Sequence, residues 1–176
     1  MPSLRLATPA DEPPMRALMQ RAIEELLQPY LAADAVDASF EIMGLDSQLI
    51  ADATYFVACD GAAIVACGGW SRRATLFGGD HTEGRDAALL DPARDAARVR
   101  AMYTDPAQVR RGVGRMILAA CEAAARGEGF SRVELAATLA GEPLYRACGY
   151  AVMDRFNART SSGVEVPLLR MGKALA

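Results

Sequence analysis

The sequence predicts a mixed α/β fold, an α+β arrangement around a mixed sheet, with elements in the order β-α-α-β-β-β-α-β-α-β-β. Three observations carry that prediction. Met15, Leu18, Met19, Ala22, Ile23, Leu26 and Leu27 recur at the i, i+3, i+4, i+7 spacing of an amphipathic helix. Thr54 to Cys59 and Ala62 to Trp70 are strand-like runs on either side of Asp60-Gly61, a dipeptide suited to a tight type I′ hairpin turn. Arg98 to Thr104 returns to a strand pattern, passes through a turn rich in arginine and glycine into a helix, and is followed by another strand; that is one β-α-β unit.

Taken in order, Ser3 to Ala7 alternates Leu4 and Leu6 with polar neighbours and reads as a short first strand. The first helix takes Asp11 as its N-cap, which puts Pro13 and Pro14 in the first turn, where a missing N–H costs little; Pro29 ends it. Residues 30–53 read as one or two short helices around Phe40, Ile42, Met43, Leu45, Leu49 and Ile50. After the hairpin, residues 71–97 carry Gly78-Gly79 and many charges, and read as a long surface connection of functional or mobile character. The helix opened by Gly112-Val113-Gly114 runs to about Arg126, Ser131 to Thr138 is a strand, and Pro143 to Cys148 is a short helix. Tyr150 to Ala158 and Gly163 to Met171 form a final hairpin.

Composition bounds the function. The 176 residues include 52% hydrophobic and 23% charged side chains, an ordinary balance for a packed core, so residues 1–176 are expected to form a single domain. No apolar stretch approaches the ~20 residues that span a bilayer, so no membrane association is expected. Nor does the N-terminus pair a basic region with an apolar one, and the expected location is the cytoplasm. Cys59, Cys67, Cys121 and Cys148 are widely spaced in apolar runs and read as reduced, buried thiols. With no C-x-x-C pair and His81 the only histidine, no metal site is expected; His81 in its charged stretch reads as solvated surface. A net charge of −3 offers no footprint for nucleic acid.

Chemistry concentrates between Val99 and Leu118, V-R-A-M-Y-T-D-P-A-Q-V-R-R-G-V-G-R-M-I-L. A strand leading through glycines into a helix makes an anion site, because the first helical N–H groups have no internal partner and the helix dipole favours negative charge. Arg110, Arg111 and Arg115 add positive charge. A dinucleotide fingerprint fails at Ile117, where a third glycine is needed, and a P-loop fails for want of Gly-Lys-Ser/Thr.

The stretch resembles the acetyl-coenzyme A signature Arg/Gln-x-x-Gly-x-Gly/Ala of the GNAT family of N-acetyltransferases. The strand at Arg132 to Thr138 follows in order, and Pro143-Leu-Tyr-Arg-Ala-Cys-Gly-Tyr150 is similar to the family's Phe-Tyr-x-x-x-Gly-Phe ending. Two positions depart: Val109 stands where the signature has Arg or Gln, and Thr138 where asparagine is common.

The resemblance implies a GNAT-like acyl-CoA acyltransferase fold and a division of labour. Met102, Tyr103 and Thr104 would offer backbone groups to the pantetheine arm, with Thr138 near its end. Val109, Arg110, Arg111, Gly112, Val113, Gly114 and Arg115 would hold the pyrophosphate, and Tyr145 would be the general acid that protonates the departing thiolate. The implied reaction is direct attack of a primary amine on acetyl-CoA. For the base, Glu134 is the nearest carboxylate on a matched strand, with Asp52, Asp80, Asp154 and ordered water as alternatives. The expected acceptor is a small-molecule amine held between residues 28–53, 71–97 and the 159–163 hairpin tip. The resemblance also implies a homodimer among the oligomeric states common in the family. A non-catalytic acyl-CoA-binding or sensor module is the alternative.

Overall fold

A computed structural model describes all 176 residues. One seven-stranded sheet organises the chain, in the order β1-β2-β3-β4-β5-β7-β6. Its strands are β1 (Ser3–Leu6), β2 (Tyr55–Asp60), β3 (Ala63–Ser71), β4 (Ala97–Thr104), β5 (Arg132–Ala137), β6 (Ala151–Arg159) and β7 (Glu165–Ala174). All neighbours are antiparallel except β4 and β5, the two strands of the β-α-β unit. The helices are α1 (Glu12–Leu26), α2 (Ala33–Ile42), α3 (Ser47–Ala51), α4 (Val113–Gly127) and α5 (Glu142–Ala147).

Alternation along the strands sends side chains to two cores. On one face Val99, Val133, Leu135 and Ala137 pack with Ile117, Leu118 and Cys121 of α4 and with Tyr145 and Tyr150. On the other, Tyr55, Val57 and Tyr103 pack with Met15, Leu18, Met19, Ala22 and Ile23, the predicted stripe of α1. A smaller cluster of Ile42 with Ala158, Val166 and Leu168 seats α2 on the final hairpin.

Two local expectations are corrected and one is refined. Asp11 stands at the N-cap of α1 as expected, with Pro13 and Pro14 in the first turn, but its side chain makes no bond to the helix: it closes a 3-10 turn at Pro9–Asp11, with its carboxylate accepting from the Thr8 N–H at 2.8 Å and pairing with Arg5 at 2.7 Å. The β2–β3 connection is Gly61-Ala62, one residue later than expected. Asp60 pairs with Ala63, and of the two loop residues only Gly61 has positive φ (60°), which is the II′ pattern instead of I′. The 71–97 connection is folded, not loose. It turns back on itself through Ala74 N–H to Ala88 O and Thr75 N–H to Asp86 O, and Arg73 grips Asp52 with two nitrogens at 2.7 and 2.9 Å.

Gly69 on β3 shows how closely the sheet meets its neighbours. A Cβ there would sit 2.9 Å from the Thr54 carbonyl oxygen, 3.0 Å from Leu49 Cδ1 and 3.3 Å from Tyr55 Cα. Two of those atoms are backbone and cannot yield, so Gly69→Ala is expected to cost about 1–3 kcal/mol, read as a lower urea midpoint at unchanged slope.

Candidate active site

β4 and β5 pair only at Ala97↔Val133 and Arg98↔Glu134, then diverge. The divergence opens a cavity of about 100 Å³ whose lining includes Met102, Tyr103, Thr138, Gly141 and Tyr145 together with Met43, Phe77 and Leu168. A bulge in β4 accompanies it: the register to β3 slips between Cys67 and Gly69, and Ala101 takes φ 51°. Positive φ at a residue with a Cβ is unfavourable and needs support from its surroundings. Tyr55 supplies it, its fully buried hydroxyl donating to the Ala101 carbonyl at 3.0 Å. Burial also pushes the Tyr55 phenol well above its ordinary pKa, so it stays a donor.

Beyond the cleft the chain builds the anion cradle. Asp105 starts a 3-10 turn at Pro106–Gln108, accepting from Ala107 N–H at 2.9 Å and from Arg21 at 2.8 Å. The Arg21 guanidinium is the main reason its carboxyl lies below the ordinary range. Arg110 (φ 61°) and Gly112 (φ 81°) are both left-handed and reverse the chain into α4. No acceptor in the protein meets the backbone N–H groups of Gly112, Val113, Gly114 and Arg115. Gly112 has no atom within 4 Å of where a Cβ would stand, so its need for glycine is conformational and its face is open. Gly114 is a packing glycine, with a Cβ falling 3.0 Å from Leu144. Arg110, Arg111 and Arg115 are exposed and pair with no carboxylate, whereas most arginines of the chain do. Free donors, an open face and unpaired guanidiniums fit the pyrophosphate of acetyl-CoA. Val109 is 38% exposed at the start of this loop, where backbone donation does not depend on its side chain.

Tyr145 reaches the cavity from α5. Its ring packs edge-on against Tyr150 at 5.8 Å, and its hydroxyl has no hydrogen-bond partner within the protein. Burial is the chief cause of its raised pKa, which keeps the proton on the phenol. Thr138 lines the same cavity, its hydroxyl accepting from Gly141 N–H at 3.1 Å to start α5. The Tyr103 hydroxyl accepts from Gly44 N–H at 2.9 Å, so its side chain fixes the α2–α3 corner while its backbone borders the cleft.

Glu134 goes elsewhere. It is 6% exposed and paired with Arg98 at 3.2 Å and with Arg170, and it does not line the cavity. A carboxylate held by two guanidiniums ties the sheet together where β4 meets β5. His81 is exposed as expected, yet its Nε2 lies 2.6 Å from the Phe40 carbonyl, tying the 71–97 connection to α2. Cys59, Cys67 and Cys121 are buried free thiols and Cys148 is partly buried; burial pushes Cys67 up to about 12, away from thiolate reactivity.

A second buried knot has no signature in the sequence. Asp46 is wholly buried, with Arg85 at 2.8 Å on one oxygen and Arg100 at 2.6 Å on the other. The same arginines donate to the carbonyls of Gly79 and Gly78 at 2.9 and 2.6 Å, which sets the Phe77 wall of the cavity. Only a charge census of two ambiguous segments, 30–53 and 71–97, could have hinted at the pairing.

The fold is shared widely among solved N-acetyltransferases. A GCN5-related N-acetyltransferase (aminotransferase, class II) from Rhodopseudomonas palustris superposes with a TM-score of 0.72 at 19% identity, covering 99% of this chain and 96% of that one. PaiA N-acetyltransferase from Thermoplasma acidophilum, solved in complex with coenzyme A, gives 0.66 at 9% identity over 99% of both chains. The ribosomal-protein-alanine N-acetyltransferase from Brucella melitensis gives 0.65 at 20% identity, over 98% and 99%. No curated protein matches in sequence. The model of the acetyltransferase (GNAT) family matches residues 20–150, from the middle of α1 through the cleft and cradle to Tyr150. The chain therefore belongs to the GNAT family of acetyltransferases, acyltransferases with acetyl-CoA as co-substrate.

Proposed function

We propose that the chain transfers an acetyl group from acetyl-CoA to the primary amine of a small molecule by direct attack, with Tyr145 as general acid. The observation that carries this reading is the placement of the partnerless Tyr145 hydroxyl in the same cleft that leads to the N–H cradle at Gly112 to Arg115. Bound acetyl-CoA supplies a thioester whose acetyl carbon accepts the amine and whose sulfur leaves as a thiolate.

The protein's part is to bind and to manage a proton. Gly112 to Arg115 fix the pyrophosphate, and the cleft-facing edge of Met102 to Thr104, left without a strand beyond Arg98, receives the pantetheine arm. Tyr145 then gives its hydroxyl proton to the sulfur as the C–S bond breaks, and the phenolate left behind recovers a proton from water. With Glu134 occupied by arginines, the ammonium proton leaves to water. A small acceptor is favoured because Glu41 of α2 takes the N–H and hydroxyl of Ser161, at 2.8 and 2.9 Å, at the tip of the β6–β7 hairpin. That strap, with Ile42 packed on Ala158 and Val166 beneath it, covers the face along which an extended chain would approach.

Calorimetric titration with acetyl-CoA is the test. Micromolar binding is expected, weakened at least about tenfold in Gly112→Trp, where the added Cβ meets no protein atom but the side chain strains the left-handed φ and crowds the free N–H groups. Absence of binding by the unaltered protein would leave the enzyme reading without support.

A further inference from the structure

Resting on the acetyl-transfer reading above, we propose that the acceptor is a monoamine carried on a small apolar group, a short alkyl amine, in preference to a polyamine or a peptide. The apolar part of the cavity is walled by Ile42, Met43, Leu76, Phe77, Ala136 and Leu168. No carboxylate lines it.

The two buried carboxylates nearest in the fold are both spent. Asp46 is neutralised by Arg85 and Arg100, and Glu134 by Arg98 and Arg170. The charged side chain that does line the cavity is Arg100, 4% exposed; its partner Asp46 is shared with Arg85, so one carboxylate faces two guanidiniums and the second ammonium of a polycation would meet net positive charge in a poorly solvated place. A peptide brings its own difficulty. Its amides would enter an apolar wall with few free partners, and the face of β7 beside the cavity is already covered by α2.

Size points the same way. The cavity, about 100 Å³, is smaller than the ~150 Å³ apolar cavity that holds benzene. The buried part of the acceptor is therefore a few carbons. Phe77 stands between two roles, packed on Phe156 at 5.8 Å and facing the cavity, so its removal enlarges the cavity without touching the cradle.

The experiment uses the full chain, with acetyl-CoA affinity measured first by calorimetry and thiol release then followed for propylamine, butylamine, pentylamine, phenethylamine, spermidine and an alanine-initiated tetrapeptide. For the alkyl series kcat/KM should rise about fourfold per methylene until the cavity is full. The alkyl amines should exceed phenethylamine, spermidine and the peptide by roughly tenfold or more. In Phe77→Ala, kcat/KM for butylamine should fall about tenfold at unchanged acetyl-CoA affinity. A preference for spermidine or the peptide, a flat alkyl series, or no turnover of any apolar amine by protein that binds acetyl-CoA would overturn the proposal and leave acetyl-CoA use standing. Failure to bind acetyl-CoA would overturn both readings together.

Discussion

Asp46→Asn should destabilise the protein by about 3–5 kcal/mol, because it leaves the buried Arg100 guanidinium with no counter-charge and the half-buried Arg85 with Asp80 alone. Asparagine keeps the shape of the side chain and can still accept from Gln48 N–H at the start of α3, where Asp46 Oδ1 lies at 3.2 Å. What it cannot do is offset Arg100, whose pKa burial already lowers, or Arg85. For a chain of this size the loss corresponds to a fall in Tm of about 6–20 °C, measurable by scanning calorimetry. Below its own transition the variant should keep its acetyl-CoA affinity but bind the acceptor less well, since Gly78 and Gly79 hang from the same arginines. A shift below about 1 kcal/mol would mean that Asp80, 3.5 Å from Arg85, takes over the charge.

Tyr145→Phe should act in the opposite sense, sparing the fold and removing the chemistry. The hydroxyl has no protein partner, so deleting it orphans no buried group, and the edge-on packing against Tyr150 survives in phenylalanine. The expected result is a fall in kcat of about 10²-fold, a typical loss when a positioned acid is removed, with acetyl-CoA affinity unchanged. Burial raises the phenol pKa, so the proton-bearing form persists as pH climbs past the ordinary tyrosine range. The kcat profile of the unaltered enzyme should therefore show no alkaline decline from this group within the range where the protein stays folded. An unchanged kcat in the variant would remove Tyr145 from the mechanism.

What could be read from the letters depended on whether the physics was local. The stripe of α1 and the β4-α4-β5 unit follow from side-chain period and from glycine at a helix start, and both stand where expected. The final hairpin and the two short helices of residues 33–51 also fall within their expected segments. The type of the β2–β3 turn differs from expectation because it turns on a shift of one residue, which period alone does not resolve, whereas Asp11 holds its N-cap position and gives its carboxylate to Arg5 and Thr8. The site divides along the same line. Gly112 and Gly114 announce themselves, whereas the bulge at Ala101 rests on Tyr55, a residue distant in sequence, and carries no glycine to betray it. Glu134 was a candidate as the nearest carboxylate on a strand that matches the family, and its arginine partners, from β4 and β7, are distant in sequence. The 71–97 connection looked loose because its anchors, Asp46, Asp52 and Phe40, all precede it in the chain.

The two-pair register between β4 and β5 means that the seven strands behave as two smaller sheets joined at Ala97 and Arg98. Opening fluctuations cost least where ladder hydrogen bonds are fewest, so amide exchange in this sheet should be fastest along the free edges of Met102 to Thr104 and Ala136 to Ala137. A ligand seated between those edges adds rungs to both halves at once. Saturation with acetyl-CoA at about a hundred times its Kd would then contribute about 2.7 kcal/mol to global stability, and the slowing of exchange would be concentrated at the seam.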